Sequence, residues 1–279
     1  MTNRRAVLPH NMGMTNTDHE LVELEGFALE LGRTAGGIAM AHFRKPLTID
    51  NKDSDGFDPV TNADRAIESV LRASIRARYP EHGIIAEEEG THTGQSKYTW
   101  YLDPIDGTRA FMMGSPLWGT LIGLTEHGRP LFGLLGQPVL EELFLGSPAG
   151  SWLIKTDGRE RLRARNCENL AVAALTSTHP DLFDNEQAEA FSTLADACLL
   201  HRFGGDCYNY AMLAAGFIDL VVEGQLCSYD IVPLIPILEG AGCVITDWQG
   251  HPPMNGGLVV AAATPALHAQ ALAVLQGSA

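Results

Sequence analysis

The stretch Trp100-Tyr-Leu-Asp-Pro-Ile-Asp-Gly-Thr-Arg-Ala-Phe111 decides how the rest of the chain is read. Trp100, Tyr101 and Leu102 read as a buried strand that delivers Asp103 and Asp106 at its carboxyl end, on either side of the stiff Pro104. Gly107 and Thr108 follow, where a helix can begin. Oxygen-only ligands beside backbone N–H groups suit a hard divalent cation and a phosphate sharing one site. A lone acidic loop is usually a solvated turn, but similar acids recur along this chain. Asp58-Pro-Val-Thr61 precedes a helix, Glu87 and Glu88 follow the short apolar run Ile84-Ile85-Ala86, and Ser228-Tyr-Asp230 opens a helix containing Pro233 and Pro236. Taken singly, each acid reads as a helix cap or a surface charge.

Outward from this stretch, apolar residues at helical spacing predict helices over 18–43, with Leu24, Phe27 and Leu31, and over 62–78, with Ile67, Leu71 and Ile75. Apolar runs from Trp118 to Ile154, punctuated by His127-Gly128, Gly136 and Pro148-Ala149-Gly150, predict an antiparallel meander. The polar segment 156–169 marks the expected boundary between an N-terminal half (16–155) and a C-terminal half (156–279). The second half should hold strands over 171–176, 218–223, 243–247 and 257–262, with helices over 185–197, 208–215, 231–240 and 265–275. The hairpin-rich middle argues for an α+β layered fold over a doubly wound parallel sheet. Residues 1–15 read as a disordered tail, with Met14 as an alternative start and no apolar signal core.

Composition narrows the function classes. The chain has 279 residues, 45% of them hydrophobic and 19% charged, with a net charge of −15. No basic stripe is present to neutralise nucleic-acid phosphates, and no run is long enough to cross a membrane. The five cysteines are scattered, odd in number and without a CxxC pair. They argue for reduced thiols in a cytoplasmic protein and against a zinc site.

The acids in order resemble one family, the metal-dependent inositol monophosphatases. The matching elements are Asp58-x-Val-Thr61, Glu87-Glu88, Asp103-Pro-Ile-Asp-Gly-Thr108 with Phe111, and Asp230 followed by Pro236 and Ala241-Gly242. Ala86 stands where the family usually has Gly, Tyr229 where it has Trp, and Cys243 where it has a second Gly. The resemblance implies a five-layer αβαβα sandwich of the inositol monophosphatase and sugar phosphatase type, and a homodimer. It implies that Glu87, Asp103 and the Ile105 carbonyl hold one Mg²⁺, that Asp103, Asp106 and Asp230 hold a second, and that a weaker third lies near Glu87. Water attacks the phosphate in that scheme, with Glu87 or an Asp58–Thr108 pair taking its proton and the Gly107 and Thr108 amides cradling the phosphate. The electrostatics agree: carboxylates about 4 Å apart repel by ~4 kcal/mol at an effective dielectric of ~20, so they reject a phosphate dianion unless cations intervene.

Which phosphomonoester is cleaved is left to the second half. Thr178-His-Pro-Asp-Leu-Phe183, Phe203-Gly-Gly-Asp-Cys-Tyr-Asn-Tyr210 and Tyr229-Asp-Ile-Val232 resemble the histidinol-phosphate phosphatase branch, which serves histidine biosynthesis. Asp206 and Glu223 are the candidates to meet the substrate's ammonium and imidazole. Asp206 reads equally well as a helix cap. Glu223 reads equally well as a contact to inositol hydroxyls, so inositol 1-phosphate is the alternative substrate. A non-enzyme reading treats residues 51–62 as a calcium-binding loop. That loop begins with Asn51, ends on Asn62 where a bidentate Glu is needed, and is interrupted by Pro59. A loop donating Lys52 or Asp53 near the metals is preferred.

Overall fold

The computed structural model describes residues 16–51 and 59–277. Asp58, Lys52, Asp53 and the predicted tail lie outside them. Helix α1 (Asn16–His42) leads to two short antiparallel strands, β1 (Ile49–Asn51) and β2 (Pro59–Thr61). Thr61 then caps α2 (Asn62–Arg78): its hydroxyl and the Asp64 carboxylate exchange hydrogen bonds with each other's backbone in a capping box. With 59–61 in a strand, the end of the supposed calcium loop is regular structure. Its twelfth side chain is also engaged, since Asn62 Oδ1 accepts the Thr48 N–H at 3.1 Å.

The first sheet comprises β3 (Gly83–Ala86), β4 (Gly90–His92), β5 (Tyr98–Asp106) and, beyond the one-turn-and-a-half helix α3 (Thr108–Met112), four meander strands. These are β6 (Gly119–Glu126), β7 (Arg129–Gln137), β8 (Glu142–Ser147) and β9 (Gly150–Lys155), as the turn signals predicted. An eighth strand, β10 (Gly158–Arg161), pairs with β9. The polar segment read as a boundary therefore begins with one more strand of the first sheet. Its side chains are exposed, which is why the sequence showed no alternation there.

In the second half β11 (Ala174–Ser177) and α4 (Asn185–Ala197) precede β12 (Leu200–Phe203), an exposed edge strand whose polar centre, His201-Arg202, hid it from the reading. Helix α5 (Cys207–Ala214) and β13 (Leu220–Leu226) follow. The helix expected over 231–240 is two pieces, α6 (Ser228–Ile231) and α7 (Ile235–Ala241). Pro233 supplies no N–H and breaks the ladder between them. The chain closes with β14 (Val244–Asp247), β15 (Gly257–Ala262) and α8 (Pro265–Leu275). The second sheet runs β12-β11-β13-β15-β14, parallel across its first three strands and antiparallel beyond.

The layers follow from three apolar cores. Leu24, Phe27 and Leu31 of α1 and Ile67, Leu71 and Ile75 of α2 pack on Trp100, Leu102 and Phe132 of the first sheet. Tyr210, Leu234 and Ile237 pack α5 and α7 between the two sheets, against Leu135 and Phe144 on one side and Val221 and Val259 on the other. Phe191, Leu194, Leu267 and Ala271 pack α4 and α8 on the outer face of the second sheet. The arrangement is αβαβα. Gly133 and Gly146 permit its tightest contact, because a Cβ at either would collide with the backbone of Pro233 or Ile237. The chain between α6 and α7 thus lies directly on the first sheet, a placement that carries Asp230 to that sheet's acids. Among the described residues no helix is long and apolar enough to cross a membrane.

Candidate active site and metal centre

Strands β3 and β5 run parallel, with Ala86 opposite Leu102, so Glu87, just past the end of β3, comes beside Asp103 in the last part of β5. The register between β5 and β6 shifts between Asp103 and Asp106, and this irregularity turns the second acid toward the first. The loop is fixed from within. The Ile105 N–H donates to Asp103 Oδ1 at 3.0 Å, the Thr108 hydroxyl donates to the Ile105 carbonyl at 3.0 Å, and the Thr120 hydroxyl donates to the Pro104 carbonyl at 2.8 Å. Gly107 sits at φ 88°, in the left-handed region, and a Cβ there would press on the Asp206 side chain at 3.1 Å. Only glycine serves both needs.

The second half supplies the remaining pieces. Asp230 lies in the first turn of α6, where its Oδ2 accepts the Cys227 N–H at 2.7 Å. The cap reading and the ligand reading both describe it, because one oxygen caps while the carboxylate faces the cluster. Cys207 is 1% exposed, yet its backbone matters: its N–H donates to Asp106 Oδ1 at 2.9 Å and ties the two halves together. Burial pushes its thiol well above the usual range, which disfavours the thiolate form.

Carboxylate oxygens of Asp103, Asp106 and Asp230 lie within 4.8 Å of one another. Burial, followed by Glu87, Asp106 and Asp230 as like charges, pushes the Asp103 carboxyl well above its ordinary value. Burial and the neighbouring Asp106 do the same to Asp230. Asp106 rises to about 6, chiefly by burial, with the Cys207 N–H holding it down. Without a cation this crowding favours their protonated forms. A donor set of oxygens alone, with Asp103 buried, the others half-buried and all mutually repelling, fits a hard divalent ion. Glu87, Asp103, Asp106 and Asp230 are the side chains that would hold it.

A cavity of about 280 Å³ joins this cluster to a second group of polar residues. Every site residue expected from the sequence within the described chain lines it: Glu87, Asp103, Ile105, Asp106, Gly107, Thr108, Asp206, Glu223 and Asp230. Asp58 lies outside the described residues, though its neighbour Pro59 lines the cavity. Asp206 does not cap α5: its side chain makes no cap hydrogen bond, and its backbone takes the unusual φ of 47°. Burial and then Asp106 raise its carboxyl to about 7, against the pull of Arg109. Glu223 is 3% exposed, accepts the Thr178 hydroxyl at 2.8 Å, and is raised well above its ordinary value by burial, then by Asp106 and Asp206. His179 is half exposed at the rim, where its Nδ1 accepts the Asp181 N–H.

Two functional groups escaped the sequence reading. Thr178 orients Glu223, and Tyr210 projects a buried hydroxyl that has no hydrogen-bond partner among the described residues while its ring lines the cavity. The signal for Tyr210 was its place four residues after Asp206, one turn along α5.

The sequence profile of the inositol monophosphatase family matches residues 20–278. The chain belongs to the inositol monophosphatase family. It is 40% identical over 236 residues to the chloroplast bifunctional phosphatase IMPL2 of Arabidopsis thaliana, covering 84% of this chain and 67% of that protein. It is 33% identical to the histidinol-phosphatase of Chlorobaculum parvum, covering 80% and 85% of the two chains. Among solved structures it resembles an inositol monophosphatase from Zymomonas mobilis, with 38% identity, a TM-score of 0.81, and coverage of 94% and 100%. An IMPase/NADP phosphatase complexed with Mg²⁺ and phosphate shares the fold at 18% identity, with a TM-score of 0.79 and coverage of 91% and 95%. Family membership makes the chain a phosphatase.

Proposed function

We propose that this inositol monophosphatase family member is a Mg²⁺-dependent histidinol-phosphate phosphatase. The observation that carries the substrate is the far end of the cavity, where the half-buried Asp206 and the buried Glu223 stand with Thr178 and Tyr210. Two acids raised by burial and by the like charge of Asp106, with Asp206 adding to Glu223, favour a cationic leaving group, which lets both ionise. Histidinol carries an ammonium and an imidazole. The relatives named histidinol-phosphatase, from Chlorobaculum parvum and from Mycobacterium tuberculosis at 32% identity, support the same reading.

When bound, two Mg²⁺ ions, with a weaker third near Glu87, supply the positive charge that offsets the phosphate dianion and lower the pKa of an attacking water. The chain's own groups do the rest. Asp103, Asp106, Asp230 and Glu87 face the reacting phosphate, and the Ile105 carbonyl stands beside them. Thr108 Oγ1, now bonded to that carbonyl, and Glu87 are the groups placed to accept the proton from water, with Asp58 as the partner proposed for Thr108. The backbone of Gly107 and Thr108 forms the phosphate side of the cavity, and Asp206 and Glu223 orient the leaving alcohol. Glu223 and Tyr210 also suit a polyol, and the similar Zymomonas mobilis protein is an inositol monophosphatase. Inositol 1-phosphate is therefore the second reading.

Phosphate release with Mg²⁺ from L-histidinol phosphate and from inositol 1-phosphate, at equal concentrations, separates the two. Strong preference for histidinol phosphate is expected. Preference for the inositol ester would overturn the assignment of Asp206 and Glu223 to a cation.

A further inference from the structure

Helix α2 buries polar side chains on a face where apolar ones are the rule. Asp64, Glu68 and Arg72 are four residues apart, stacked along one side of the helix, and 0%, 0% and 3% exposed. Glu68 reaches the turn between β3 and β4. Its Oε2 accepts the Glu88 N–H at 2.7 Å and its Oε1 accepts the Glu89 N–H at 2.8 Å. Arg72 Nε donates to that same Oε1 at 2.7 Å, and its terminal nitrogen donates to the Gly90 carbonyl. Across the turn, the Glu87 N–H donates to the Leu102 carbonyl at 3.3 Å, one residue before Asp103. The segment 87–90 is therefore gripped from α2 on one side and from β5 on the other.

The turn does not need this grip in order to close. The ladder between β3 and β4 already pairs Ala86 with Gly90. Glu89 and Gly90 are exposed, so water is at hand for their backbone groups. Nor does a buried ion pair add much stability, because desolvation offsets most of its Coulomb attraction and an apolar pair of similar size does as well. What the pair does supply is geometry: charge-assisted hydrogen bonds fix consecutive amides immediately after Glu87.

We propose that Glu68 and Arg72 form a clamp that sets where the Glu87 carboxylate stands relative to Asp103, and so act as positioning residues for the divalent cation. The proposal rests on the reading of Glu87 as a ligand. Neither residue lines the cavity, so neither touches substrate.

Calorimetric titration of the metal-free protein with MgCl₂, beside amide hydrogen exchange at Glu88 and Glu89, tests it. Glu68→Gln keeps the shape and one acceptor but loses the charge and turns the second acceptor into a donor. Its Mg²⁺ Kd should rise about tenfold, with kcat at saturating Mg²⁺ within about twofold of wild type and with faster exchange at both amides. Arg72→Lys keeps the charge but cannot span Glu68 and Gly90; a smaller rise of roughly threefold is expected, and it serves if Glu68→Gln fails to fold. Lowered thermal stability with an unchanged Mg²⁺ Kd in the folded variants would overturn the clamp and leave the metal reading intact. Wild-type protein that bound no Mg²⁺ would overturn both.

Discussion

The two ends of the cavity are built in opposite ways. At the metal end, residues 103–108 are neighbours in sequence and are held by hydrogen bonds to their own loop, and Asp106 and Asp230 each accept a backbone N–H. At the leaving-group end, Thr178, Asp206, Tyr210 and Glu223 come from the loop after β11, the entry to α5, α5 itself and β13. That end also holds the unusual backbone, with Asp206 at φ 47° and Gln225 at φ 59° beside a register shift in β13. On the proposed function the chemistry centres on a short local motif that Glu87 and Asp230 complete, while the fit to the alcohol depends wholly on how the second sheet brings distant segments together. Changes at the first end should abolish turnover for every substrate; changes at the second should redistribute it.

The largest effect is expected at the shared acid. Asp103→Asn should lower kcat on the order of 10³-fold or more, on either ester. The metal-free variant should melt higher than wild type, since one of the mutually repelling carboxylates becomes neutral. Circular dichroism melts and phosphate release check both, and retained turnover would remove the metal assignment. At the other end, Glu223→Gln should lower kcat/KM for histidinol phosphate by roughly 10- to 100-fold, the worth of one hydrogen bond to a charged group. Its Mg²⁺ Kd should not change, and a loss shared equally with the inositol ester would erase the distinction between the ends.

The smallest effect is one of pH. Asp106 and Asp206, raised to about 6 and about 7, hold protons in the folded metal-free protein that the unfolded chain has already released. Their contribution to stability is therefore full at acid pH and is lost as pH rises from about 4 through about 7. Metal-free protein should gain a few degrees in melting temperature between pH 8 and pH 5.5, while the increment added by Mg²⁺ shrinks over the same range because protons compete for the same oxygens. Melting curves with and without the ion read both trends, and a metal-free protein that loses stability on acidification would contradict the crowded-acid picture.

This contrast also explains what the sequence disclosed. Helix α2 was legible to the residue because Thr61 and Asp64 form a capping box and Ile67, Leu71 and Ile75 keep the helical period. The acids proposed to hold the metal were legible as a set because Glu87 follows β3, Asp103 and Asp106 lie in the last part of β5 and Asp230 in the first turn of α6, where short motifs mark the place. The clamp on the same helix was not, because Glu68 and Arg72 look like ordinary surface charges until the turn they hold is seen. Cys207 was opaque for a different reason: its contribution is a backbone N–H, which no residue type announces, given to an acid 101 positions away. Strand β12 lacks alternation because all four of its side chains are exposed.

The bare backbone at Gly133 and Gly146 carries a consequence for redesign. There the α6–α7 segment docks as a key does in a slot cut to fixed depth, main chain on main chain, with no methyl group between. That contact fixes how near the segment carrying Asp230 comes to the first sheet, whatever aliphatic residues flank the slot. The proposed alcohol pocket should accordingly accept reshaping for a new phosphate ester while the acids proposed to hold the metal keep their spacing.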